Sequence, residues 1–195
     1  LGDCQHYRIG QAGSQFVEWG SDAALQFYII MECYLDISTE YGLYDAATLL
    51  CQRSLEDSFH CFRGWLIAQG KEVYLAAMKD PDSLADVEPY ADCRFESICH
   101  VGPAAYEKLT GRSAYEDAPD KMIQSEIDVL SRDVVLRDGI MYPRTMKSIA
   151  AYYPRLWAKY GEKMPAADYW VDLNDPFILM LLEEGMRTDL ERVHN

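Results

Sequence analysis

The spacing of apolar residues between Ser54 and Gly70 constrains this chain more than any other feature. Leu55, Phe59, Phe62 and Leu66 recur every three or four residues. That is the repeat of one side of an α-helix and does not suit a β-strand, in which alternate residues share a face. Ser54 with Asp57 three residues later makes an approximate capping box, and Gly70 is expected to end the helix in the left-handed conformation. The segment is therefore expected to turn its four apolar side chains inward along one helix.

The same period runs through most of the chain, and long alternating stretches are scarce. From Ser14 to about Tyr34, the residues Phe16, Val17, Trp19, Leu25, Phe27, Ile29 and Ile30 predict one or two helices, with a break at Gly20 and Ser21. Further helices are predicted over Leu43–Cys51 and over Lys71–Lys79, the latter stopped by Asp80 and Pro81. Pro103 and Gly111 bracket another over Ala104–Thr110, and Met122, Ile123, Ile127, Leu130, Val134 and Val135 give the apolar face of a helix over Asp120–Arg137. Asn174 before Asp175 and Pro176 reads as a last helix start. The fold class expected is mainly α, a compact single-domain helical bundle over residues 1–195 with little or no sheet. With 195 residues, 49% of them hydrophobic, the chain can bury a sizeable core, which excludes disordered and fibrous classes.

Charge narrows the partners. The chain carries 18 Lys and Arg against 32 Asp and Glu, a formal net charge of −14. Nucleic-acid affinity rests on Lys and Arg displacing counterions, so no nucleic-acid partner is expected and a cationic one is. The longest apolar run, Phe177 to Leu182, falls far short of the ~20 residues that cross a bilayer, so no membrane partner is expected either. Cys33, Cys51 and Cys61 sit among apolar neighbours and read as reduced, buried thiols of a cytoplasmic protein. The pairs His60/Cys61 and Cys99/His100 raise a zinc reading, but the repeated close pairs that zinc usually takes are missing. No metal and no cofactor are expected.

Residues 141–163 reverse the charge, with Arg144, Lys147, Arg155, Lys159 and Lys163 against Glu162 alone. Tyr-Pro-Arg occurs twice there, at 142–144 and 153–155. A proline-started helix offers unpaired N–H groups beside an arginine fork, which makes Arg144 and Arg155 candidate anion-binding residues. The competing reading is two ordinary helix starts, with aromatic rings packed inward and the basic residues paired with the acidic remainder.

Several blocks resemble a known family. Tyr44-Asp45-Ala46-Ala47, Glu56-Asp57-Ser58-Phe59, the run Phe62-Arg63-Gly64-Trp65-Leu66 through Gly70, and Asp80-Pro81-Asp82-Ser83-Leu84-Ala85 are similar to a bacterial family catalogued as domain of unknown function 4240. Tyr106 through Gly111 and Tyr153-Pro154-Arg155-Leu156-Trp157 share the likeness. It covers roughly residues 24–161 and leaves 162–195 as a C-terminal helical extension. Where family members carry Gly-Cys-Ser before the acidic pair, this chain has Arg53-Ser54-Leu55. The resemblance implies a soluble bacterial protein and brings no activity with it.

Within the shared block, Glu56, His60 and Arg63 are four and three residues apart, with Asp57 adjacent. A carboxylate, an imidazole and a guanidinium on one helix face can form an acid/base site or an anion clamp. They can equally form a surface ion-pair ladder, with Gly64 and Trp65 setting close helix packing. No phosphate loop, nucleophile elbow, zinc-protease motif or dinucleotide fingerprint is present, so no catalytic residue is assigned. The function expected is an acidic binding protein of immunity or antitoxin type that occludes a basic toxin. The alternative is a small enzyme or anion-ligand-binding protein using the Glu56/His60/Arg63 face. Residues 113–138 and 164–195 are the expected contact, with Tyr169 and Trp170 as aromatic anchors. A homodimer through Phe177–Leu182 is the third arrangement.

Overall fold

A computed structural model describes residues 14–39, 41–52, 55, 58–137 and 146–163. Helix α1 (14–19) ends at Gly20, and α2 (Ser21–Ile37) follows at once, so the chain breaks where Gly20 and Ser21 indicated. Next come α3 (Tyr41–Cys51), α4 (Phe59–Ile67) and α5 (Lys71–Lys79), then short 3-10 turns at Pro81–Asp86 and Glu96–His100. The chain continues through α6 (Val101–Thr110), α7 (Ala114–Asp117), α8 (Asp120–Leu130), α9 (Met146–Tyr152) and α10 (Pro154–Tyr160). Among the described residues there is no strand, and no helix is long and apolar enough to cross a membrane.

Helix α4 is shorter than its apolar period implied. Leu55 is fully buried but precedes the helix, and its carbonyl accepts hydrogen bonds from the N–H groups of Ser58 (2.9 Å) and Phe59 (2.7 Å). Phe62 and Leu66 are fully buried on α4 itself, and Phe59 packs against the same cluster. Gly70 has positive φ (98°), yet its ψ of 168° is extended rather than left-handed helical. It joins α4 to α5 instead of closing α4. Gly111, placed just past the helix end by the sequence, does end α6, and it does so in the left-handed conformation with φ 69° and ψ 12°.

Two apolar clusters organise the helices. The first gathers Leu43 and Leu49 of α3, Phe62, Trp65 and Leu66 of α4, Tyr74 and Met78 of α5, Leu84, and Ile149, Tyr153 and Leu156 of α9 and α10. The second gathers Phe16 of α1, Ala24, Tyr28, Ile29 and Cys33 of α2, Val101, Ala105 and Tyr106 of α6, and Ala114 and Ala118. Helix α2 bridges the two. Its first half packs on α6 and α8, while Tyr34 and Ile37 near its end lie against the first cluster.

Helix α8 departs from expectation. It stops at Leu130, and none of its side chains is fully buried. Ile123, Ile127 and Leu130 rest half-buried on the second cluster, whereas Met122 and Val129, seven residues apart on the adjoining side, face solvent.

Candidate functional site

The family-like block around α4 is built for close contact. A Cβ added at Gly64 would sit 2.8 Å from the Phe95 carbonyl oxygen and 3.3 Å from the Cys99 sulfur. Only glycine lets the helix lie this near the Glu96–His100 turn. The Phe95 N–H donates to the Cys61 carbonyl at 3.0 Å across the same contact. Trp65, next to Gly64, is fully buried and stacks obliquely with Phe62 at 5.5 Å.

Beside this contact Arg63 crosses from α4 to the end of α2. Its Nη1 donates to the Leu35 carbonyl and to Thr39 Oγ1 (2.7 Å), while the guanidinium lies 5.2 Å above the Phe59 ring. Burial lowers its pKa against the attraction of Asp36 and Glu32, and a guanidinium stays charged throughout.

Glu32 is half-buried, and burial raises its pKa above the usual carboxylate range even though His60, Arg63 and His100 all pull it down. Asp36, one turn further along α2, adds to the upward shift. Glu32 on α2 thus lies within electrostatic reach of His60 and Arg63 on α4 and of His100 on the Glu96–His100 turn. Glu56 and Asp57 lie outside the described residues. Glu32 had a sequence signal, being an acid set among Ile29, Ile30, Met31 and Cys33. His100 had none beyond its neighbour Cys99. Among the described residues no three His, Cys, Asp or Glu side chains are arranged to hold a metal ion.

The described part of the basic segment engages the chain's own acids. Pro154 begins α10, and the N–H groups of Arg155 (3.1 Å) and Leu156 (2.9 Å) donate to the buried carboxylate of Asp82. The Arg155 guanidinium pairs with Asp86, which raises its pKa, and Lys159 Nζ donates to the Ala85 carbonyl at 3.3 Å. Arg144 lies outside the described residues, as do Tyr169 and Trp170.

Exposed apolar side chains gather on particular elements. Among the described residues, the large apolar side chains facing solvent are Val17, Trp19, Leu109, Tyr115, Met122 and Val129, with Val135 and Leu136 just past α8. The first six all stand on elements of the second cluster. Trp19 is 62% and Tyr115 58% exposed, Tyr115 meeting Tyr28 edge to face at 5.2 Å. Glu116, Asp117, Asp120, Glu126 and Asp128 accompany them over residues 114–130, where Lys121 is the lone basic residue.

No curated protein and no solved structure matches this chain. One family model does, that of a protein of unknown function, DUF4240, over residues 8–108. The match contains the Phe62–Leu66 block with its close Gly64 contact and the Asp80–Leu84 turn that caps α10. With just over half of its length inside the match, the chain belongs to the DUF4240 family.

Proposed function

We propose that this chain is an acidic binding protein of immunity or antitoxin type, which occludes a basic partner such as a toxin with a cationic active site. The exposed apolar side chains of α1, α7 and α8 carry the reading. Apolar and aromatic side chains that supply desolvated contact stand there within a field of carboxylates. The carboxylates speed encounter with a cationic surface and disfavour anionic competitors. The test is capture of the partner from the chain's own host. The reading expects a basic protein, held less tightly as salt rises, and lost when Glu116, Asp120 and Asp128 are together changed to Lys. Capture that survives this reversal, or that yields no basic protein, overturns it.

A further inference from the structure

A cavity of about 240 Å³ opens between the end of α2, α4 and the start of α5. Tyr34, Ile67, Gly70, Lys71, Tyr74 and Leu75 line it, mostly through apolar atoms. The rings of Tyr34 and Tyr74 meet edge to face at 5.1 Å, and Ile67 and Leu75 add aliphatic wall. The Tyr74 hydroxyl donates to the Tyr34 carbonyl at 2.8 Å, so its polar end is already satisfied. Gly70 leaves open space where a Cβ would stand. The lining holds one formal charge, that of exposed Lys71, which makes no salt bridge with any described residue.

We propose that this cavity binds a small aromatic carboxylate, with its ring against Tyr34, Tyr74, Ile67 and Leu75 and its carboxylate on Lys71 Nζ. Size argues for a free small molecule over a peptide segment, because the volume lies below the roughly 300–1,000 Å³ of pockets that take drug-sized ligands. An edge-to-face tyrosine pair presents the geometry into which a third ring packs. This ammonium, without a salt bridge among the described residues, selects an acid over its neutral analogue and repels cations. Since the chain as a whole is strongly acidic, attraction of an anion is local to the cavity, and salt screens what the rest of the molecule opposes.

Isothermal titration of the full chain with phenylacetate, phenylacetamide and acetate tests the proposal. Phenylacetate is expected to bind saturably, phenylacetamide about fivefold more weakly, and acetate not measurably. Lys71→Gln, at an exposed position, is expected to lower phenylacetate binding to the level of the amide while leaving the amide unchanged. In the wild-type chain the backbone amide signals of Gly70 and Lys71 are expected to move on titration. Absence of saturable phenylacetate binding up to about 10 mM, equal binding of acid and amide, or indifference to Lys71→Gln would each overturn it.

Discussion

Asp82 and Leu156, 74 residues apart, are joined by a hydrogen bond in which the Leu156 N–H donates to the Asp82 carboxylate at 2.9 Å. The first turn of a helix leaves its N–H groups unpaired, and a carboxylate there both accepts from them and faces the positive end of the helix dipole. Replacing Asp82 with Ala removes the cap from buried N–H groups and is expected to cost about 1–2 kcal/mol in urea unfolding. Asp82→Asn keeps one acceptor and should lose less. An unchanged unfolding midpoint in Asp82→Ala would contradict the tie.

Gly64 is expected to tolerate no side chain. A methyl group placed 2.8 Å from a backbone carbonyl forces α4 away from the Glu96–His100 turn, so Gly64→Ala should destabilise by about 1–3 kcal/mol. Thermal unfolding followed by circular dichroism reads this directly.

Two thiols should resist alkylation in the folded state. Burial pushes Cys33 to about 11 and Cys99 to about 12, so neither is a thiolate at neutral or mildly alkaline pH. Mass spectrometry after iodoacetamide should find both unmodified until denaturant is added. Rapid labelling of the native chain at either position would refute their burial.

Glu32 holds its proton more tightly folded than unfolded, because burial disfavours its charge. Its ionisation therefore opposes folding as pH rises through the ordinary carboxylate range, and the penalty is absent below it, where both states are protonated. Glu32→Gln is expected to raise the unfolding temperature at neutral pH, with the gain vanishing in acid. A gain that grew as pH fell would reverse the sign of the argument.

Serine at Met122 and Val129 should leave stability within about 0.5 kcal/mol of the parent, since both side chains face solvent. A large loss in urea unfolding would show that α8 is fixed by these residues and not by Ile123, Ile127 and Leu130.

The helical frame was legible because a three-to-four spacing of apolar residues survives packing, as at Lys71–Lys79 and at the Gly20 break. That spacing states which side chains turn inward, not whether the backbone between them is helical. Leu55 is buried as its place in the stripe required, yet α4 begins only at Phe59. Val134 reaches the first cluster and Val135 faces solvent, although both were placed on one helical face. His60 and Arg63 were legible together because they share a helix. Glu32 and His100 were not, since only the crossing of α2 over α4 and the following turn brings them near. The anion held at the start of α10 was hidden for the same reason, its donor and acceptor lying on distant stretches of chain.

Ile149, Tyr153, Leu156 and Tyr160 belong to the first cluster, although each lies beyond residue 108, where the family match stops. The matched stretch and the folding unit therefore have different borders. A fragment trimmed to the matched stretch would lay bare the faces of Phe62, Trp65 and Leu84 and strand the Asp82 carboxylate, inviting aggregation.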